Sequence, residues 1–237
     1  MISCVTCTIR DENMENVFIN FQRQKIQEKE LIIILNKDNM DFIKWEKNAR
    51  KYKDVRVLQV PEATSLGECL NRAIMETEYN IIAKMDDDDY YGSNYLKNSL
   101  KYLELSGAKL VGKSAFYLYF QDEKLLTIFN PKYESKIINI DRRGKFRNLC
   151  GGTLVFLKEV WSYNKFPDVT VGEDTSFQKK YLQSGGKIYS STIQDYVSIR
   201  RKNPERHTWK IESKEIKAMC IEVAYTNDFK SLIDNGG

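Results

Sequence analysis

The chain is poor in the residues that mark several protein classes. Proline occurs 4 times in 237 residues while aromatics reach 12%, which excludes collagen-like and disordered chains. Five cysteines are too few, and odd in number, for a disulfide scaffold. Cys4 and Cys7 spell CxxC, but they fall in an apparent strand where positions i and i+3 face opposite ways, and no second CxxC follows. They read as small buried residues and not as a zinc or redox pair. Histidine occurs once, as His207. Hydrophobic runs stop at strand length, as in Leu31-Ile32-Ile33-Ile34-Leu35, far short of the ~20 residues a membrane helix needs. No basic stretch precedes an apolar run at Met1, so no signal peptide is expected and the chain reads as soluble and cytoplasmic. A strong charge of one sign is missing too: 37 Lys+Arg against 33 Asp+Glu leave +4, too weak for a nucleic-acid partner. The densest basic cluster, Arg200-Arg201-Lys202 with Arg206, reads as a solvated surface loop with some capacity to meet a phosphate. Neither GxGxxG, nor a P-loop, nor GxSxG occurs, so nicotinamide, P-loop and nucleophile-elbow chemistries lose their main support.

What is present is an ordinary globular composition, 42% hydrophobic and 30% charged. A chain of this size buries roughly 70–75% of its unfolded surface on folding. Strand and helix alternate clearly in the first third. Ile2–Ile9 reads as a strand, and Met14, Val17, Phe18 and Phe21 form the apolar stripe of a helix. Leu31–Leu35 suits a strand buried on both faces. Asp41 is placed to cap a helix carrying Phe42 and Trp45, and Val55–Val60 is a third strand stopped by Pro61. Ser65 with Glu68 makes a capping box before Leu66, Leu70, Ala73 and Ile74. Tyr79–Met85 is a fourth strand running directly into Asp86-Asp87-Asp88-Asp89. This order predicts a parallel sheet with helices on both faces, whose ligands lie beyond the carboxyl ends of the strands. Farther on, the pattern predicts a helix around Asn94–Leu105 and hairpin strands Leu110–Phe120 and Leu125–Phe129 turning near Asp122-Glu123-Lys124. Thr153–Leu157 follows Gly151-Gly152, and a helix Glu173–Leu182 is stopped by Gly185-Gly186. Strands at Lys187–Tyr189 and Tyr196–Arg200 and a final helix Ile211–Ala224 complete the reading.

Four adjacent carboxylates repel one another unless water or a cation neutralises them. Oxygen-only ligands favour Mg²⁺ or Mn²⁺, which commonly bridge to substrate phosphates. The alternative, a solvated acidic loop, is outweighed by the position after a buried strand. On a turn, Asp86 and Asp88 can converge while Asp87 points elsewhere. Gly172-Glu173-Asp174 opens a helix, where a carboxylate meets free N–H groups and the positive dipole end; capping alone would explain it, and general-base chemistry is the functional alternative. His207 lies in a polar segment after the last strand and is a candidate third metal ligand.

Together these features resemble family 2 glycosyltransferases of the GT-A fold. The residues that carry the likeness are Ile2–Thr8, Glu30–Leu35, the DxD-like Ile82–Asp89, Gly151-Gly152-Thr153 and the ED pair Glu173-Asp174. Lys29–Lys37 and Leu66–Asn71 also resemble glycosyltransferase-like proteins of spore-coat or spore-crust maturation. The resemblance implies one α/β domain over 1–237, a three-layer α/β/α sandwich with a mostly parallel, Rossmann-like nucleotide-binding sheet. Residues 1–92 would bind nucleotide-sugar and metal, 93–210 the acceptor, and 211–237 would form a C-terminal helix. It implies a UDP-, GDP- or dTDP-sugar donor, a carbohydrate or glycan acceptor, Mn²⁺ or Mg²⁺ as cofactor, and inversion at the anomeric carbon. Asp88 and Asp86 would hold the metal with His207, Asp86 and Asp87 would lie near the nucleotide, and Thr8 to Arg10 would border it. Asp174 would be the base and Glu173 its neighbour. Asn36, with Asp38 two residues on, stands where many relatives place an aspartate against the nucleobase. Leu70 stands where an arginine often precedes the Asn71 position. A sugar nucleotidyltransferase and a non-catalytic carbohydrate-binding protein of the spore surface are the alternative readings.

Overall fold

The computed structural model describes residues 1–201 and 213–234. Its first part is built of strand–helix units: β1 (Ile2–Thr8), α1 (Met14–Arg23), β2 (Lys29–Leu35), α2 (Phe42–Ala49), β3 (Val55–Gln59), α3 (Leu66–Met75) and β4 (Ile81–Lys84). Both N-cap side chains engage their helices, while the Glu68 carboxylate expected to complete a capping box accepts from Arg72 Nε (3.3 Å). The Asp41 side chain accepts the Lys44 N–H at 3.0 Å and the Ser65 hydroxyl accepts the Glu68 N–H at 3.2 Å.

After β4 the chain crosses to a second sheet through β5 (Tyr90–Tyr91), and α4 (Tyr95–Ser106) follows. Then come β6 (Leu110–Gly112), β7 (Phe116–Phe120), β8 (Leu125–Phe129), β9 (Lys136–Ile138), β10 (Val155–Leu157) and α5 (Lys158–Tyr163). The described chain closes with α6 (Glu173–Gln183), β11 (Ile188–Ser190), β12 (Tyr196–Arg200), α7 (Ser213–Lys217), β13 (Cys220–Tyr225) and α8 (Lys230–Asp234).

The main sheet has the order β3-β2-β1-β4-β10-β6-β11-β9, and the smaller one β13-β8-β7-β12-β5. From β1 to β3 the chain steps outward in parallel, then returns to lay β4 on the other side of β1. That reversal opens a crevice at the carboxyl ends of β1 and β4, the position where open α/β sheets bind ligands.

Strand alternation feeds two core layers. Leu31, Ile33 and Leu35 join Val17, Phe18 and Trp45 under α1 and α2, whereas Ile32 and Ile34 join Leu70, Ile74 and Phe177 under α3 and α6. Burying each such side chain is worth about 1.5–3 kcal/mol, so a one-residue slip of β2 would exchange both layers at once. Cys4 lies in the first layer and Cys7 packs against the second, with both thiols free, as the strand reading of CxxC requires.

Two expectations need correction. Leu110–Phe120 is not one strand: β6 ends at Gly112 in the main sheet and β7 begins at Phe116 in the smaller one. The final helix expected over Ile211–Ala224, and with it the C-terminal helix assigned to 211–237, gives way to a short α7 and the strand β13. β13 pairs antiparallel with β8, from Cys220 opposite Phe129 to Tyr225 opposite Leu125. Ile221, Val223 and Tyr225 favour strand, and the open edge of β8 decides the outcome over local helix propensity.

Candidate active site

The acidic turn Asp86–Asp89 is the crossover between β4 and β5, and α1 fixes its backbone. Asn16 Nδ2 donates to the carbonyls of Asp87 (2.8 Å) and Asp89 (2.9 Å), and Asn20 Nδ2 donates to the Asp89 carbonyl at 2.8 Å. The Tyr91 hydroxyl accepts the Asp86 N–H at 2.7 Å and donates to the Gly152 carbonyl at 2.6 Å. One phenol thus ties the turn to the glycine pair.

The four aspartates do different work. Asp87 is buried and turned toward the end of β1. It accepts from the Thr8 hydroxyl, from Arg10 Nε (3.1 Å) and from Asn13 Nδ2 (3.1 Å). Asp89, also buried, accepts the Tyr196 hydroxyl and the Ile199 N–H at 3.0 Å. Asp86 pairs with the Lys84 ammonium, and Asp88 meets Arg10 Nη1 at 3.0 Å and Arg201 Nη1 at 3.3 Å. Asp86 and Asp88 therefore keep the more accessible carboxylates, while Asp87 and Asp89 are buried.

Burial sets the proton affinities. It raises Asp88 to about 6, with Asp87 adding to the rise and Arg10 opposing it. Burial raises Asp89 to about 8, reinforced by Asp88 and Asp86. Glu173 is raised to about 7, again chiefly by burial, with Lys84 opposing and Asp174 adding. Lys84 is itself buried, which alone would depress it, but Asp86 and Glu173 overcome that and hold it charged.

Glu173 and Asp174 open α6 behind Gly172, and the Thr175 N–H donates to Asp174 Oδ1 at 2.6 Å. Between this pair and the acidic turn run Gly151 and Gly152. A Cβ on Gly152 would lie 2.7 Å from Asp86 Oδ2, and one on Gly151 would collide with Asp174 Oδ2. Glycine at both positions lets the two acidic groups close on one stretch of backbone. The whole lines a cavity of 610 Å³, within the range of small-molecule sites.

Arg10, Asp86, Asp87, Asp88, Glu173 and Asp174 line that cavity. Thr8 supports it from beneath through Asp87. Asn36 and Asp38 stand outside its lining, Asn36 Nδ2 donating to the Pro61 carbonyl (2.9 Å) and Asp38 accepting the Glu62 N–H (3.1 Å). Asn71 also stands outside it: Oδ1 accepts from Trp161 Nε1 (2.8 Å) and the Phe166 N–H (3.1 Å), and Nδ2 donates to the Phe166 carbonyl (2.9 Å). Its amide is engaged on both sides inside the core, and Leu70 beside it is core as well. His207 lies outside the described residues.

Sequence reading missed Lys84, Tyr91 and the asparagines of α1. Lys84 interrupts an otherwise apolar strand, and Asn16 and Asn20 share a face of α1 at i, i+4 beside its apolar stripe; those placements were the available signal. Arg200 and Arg201, read as a solvated loop, belong at the site, Arg200 lining the cavity and Arg201 on Asp88.

Among the described residues no three His, Cys, Asp or Glu side chains form a ready-made ion cage. The donor set nevertheless fits a hard cation whose remaining ligands come from substrate phosphates, with Asp86 and Asp88 presenting carboxylate oxygens. Lys84, Arg10 and Arg201 meet Asp86, Asp87 and Asp88, Asp89 is held by Tyr196 and Ile199, and Glu173 and Asp174 add further acid to the lining. No described helix is long and apolar enough to cross a membrane.

A search of curated proteins returns no match. Solved structures do match. TarS 1–349 of S. aureus in complex with UDP-GlcNAc superposes with a TM-score of 0.69 at 14% identity, covering 89% of this chain and 61% of that one. The mannosyltransferase PcManGT of Pyrobaculum calidifontis in complex with GDP-Man and Mn²⁺ gives 0.60 at 14% identity, covering 92% and 59%. The chain thus spans about three-fifths of the length of these structures, and at such identity the likeness shows the fold, the GT-A arrangement expected from the sequence. The family model described as glycosyl transferase family 2 matches residues 3–163, and on that match, over more than half its length, the chain belongs to glycosyl transferase family 2.

Proposed function

We propose that the chain transfers a sugar from a nucleotide-sugar to an acceptor hydroxyl with inversion, using residues 1–92 for the donor and 93–210 for the acceptor. The observation that carries this reading is the meeting of the acidic turn and the Glu173-Asp174 pair across Gly151-Gly152 in one cavity. Asp174 takes the proton of the acceptor hydroxyl as its oxygen attacks the anomeric carbon. The bond from that carbon to the diphosphate breaks, and its electron pair leaves on the diphosphate oxygen. Asp86 and Asp88 would hold Mn²⁺ or Mg²⁺, which supplies Lewis-acid stabilisation of the leaving charge. Lys84 orients Asp86, Arg10 locks the turn onto β1 through Asp87, and Tyr91 fixes the spacing between turn and glycine pair. The complexes of the two solved relatives, one with UDP-GlcNAc and one with GDP-Man and Mn²⁺, support a sugar nucleotide of the UDP or GDP type.

A thermal-shift panel of UDP-, GDP- and dTDP-sugars with and without Mn²⁺ tests the reading. Ligand at 100 times its Kd should add about 2.7 kcal/mol of stability. No shift with any donor in Mn²⁺ would defeat it. The spore-surface setting rests on Lys29–Lys37 and Leu66–Asn71, which supply β2 and α3 and carry no acceptor chemistry; spore-coat glycan as acceptor in the transfer assay tests it.

A further inference from the structure

The segment 130–149 carries six cations, Lys132, Lys136, Arg142, Arg143, Lys145 and Arg147, against Glu134 and Asp141, a surplus of four that equals the net charge of the whole chain. Everything outside this segment is neutral in sum. Its two acids face the segment's own surroundings. Glu134 Oε1 accepts the Ile193 N–H at 3.0 Å, and Asp141 Oδ1 accepts the N–H groups of Arg143 (2.8 Å) and Lys145 (2.9 Å). Asp141 thereby closes a tight loop that leaves Arg142, Arg143 and Lys145 exposed.

The segment also reaches the cavity. Arg147 lines it while its guanidinium stacks 4.5 Å from the Tyr133 ring centre. Asn130, 9% exposed, lines it too, and its Nδ2 has no hydrogen-bond partner among the described residues. An unmet buried donor costs about 1–3 kcal/mol, so a ligand oxygen is the natural partner for it. Arg200, at the end of β12, adds a buried cation to the same lining. Guanidinium groups and an amide N–H offer donors that match the oxygens of a phosphate.

We infer that the acceptor bears a phosphate group, seated against Asn130, Arg147 and Arg200, with Arg142, Arg143 and Lys145 attracting it from solution. This rests on the transfer reading above. The shared chemistry admits a soluble phosphodiester-linked glycan or polyol and a lipid phosphate. The test measures binding of three probes to the full chain: a glycerol-phosphate oligomer, phosphatidylglycerol vesicles, and a neutral malto-oligosaccharide of equal length, with a uronate oligomer as a charge control. One phosphate probe should bind at least ten-fold more tightly than the neutral sugar and weaken as NaCl rises, and which of the two does so identifies the source. The triple variant Arg142→Gln/Arg143→Gln/Lys145→Gln should lose about ten-fold of that affinity. Asn130→Asp, isosteric and tolerant of the left-handed backbone at this position (φ 48°), should lose more by placing a like charge against the phosphate. Equal binding of neutral and phosphate probes, or equal binding of the uronate, overturns the inference. Nucleotide-sugar binding in Mn²⁺, read on the same samples, separates the two failures: if it persists, only the acceptor assignment falls, and if it is absent, the transfer reading falls and this inference with it.

Discussion

Between Ile2 and Lys84 each of the first three strands is followed by a helix, and the four strands pair in parallel with registers of up to seven residues. Beyond Leu110 the strands shorten to three to six residues and are divided between two sheets, with parallel and antiparallel pairings mixed. The two regions also differ in charge. The first ends in a run of four aspartates, whereas 130–149 holds the chain's cationic surplus. Regular strand–helix units hold a few side chains rigidly at strand ends, while short strands with long connections can change a binding surface without disturbing the core.

Substitutions can break that comparison where rigid and variable regions meet. The largest effect is expected at Asp174. Asp174→Asn should cost 10²–10⁴-fold in transfer while nucleotide-sugar binding in Mn²⁺ persists, whereas Asp88→Asn should abolish that binding; equal activity in both variants would remove the division of roles. Next is Asp87→Ala, which strips Thr8, Arg10 and Asn13 of a buried acceptor. It should cost roughly 3 kcal/mol in urea unfolding, a stability loss that a purely solvated acidic turn would not show. Gly67→Ala should cost about 2 kcal/mol, because a Cβ there would overlap the Pro167 carbonyl in the connection leading to α6; a variant as stable as the parent would show that this connection yields freely.

The smallest effect is a pH dependence. Glu173 holds its proton to about 7 in the folded chain against an ordinary 4.5. Between those values the folded state binds more protons than the unfolded one, so stability falls as pH rises from about 4.5 to 7. Glu173→Gln should flatten that slope by about 1–2 kcal/mol, seen as a smaller change in Tm between pH 5 and 7.5.

Much of the first region is legible in the sequence because its signals are local. The stripe of α1, the caps Asp41 and Ser65, and the unbroken run of β2 each report on residues a few positions away. The acidic turn is legible for the same reason, since a strand running into aspartates marks a strand end. Asn71 misleads because its partners, Trp161 and Phe166, lie about ninety residues on. The break between Gly112 and Phe116 and the strand at Cys220–Tyr225 are likewise decided by distant pairings. Lys84 and Tyr91 are visible as residues but not as parts of a site, for their meaning depends on Glu173 and Gly152 coming into place from the second region.

The placement of β10 has a further consequence. It lies antiparallel between β4 and β6, so a strand from the later region is stitched into the sheet begun by the earlier one. Cutting the chain in the connection around residue 92 would leave the earlier fragment with β4 as a raw, aggregation-prone edge and the later one without its template. New specificities on this scaffold would thus come from rewriting loops in place, since a wholesale exchange of modules would tear the fabric that aligns them.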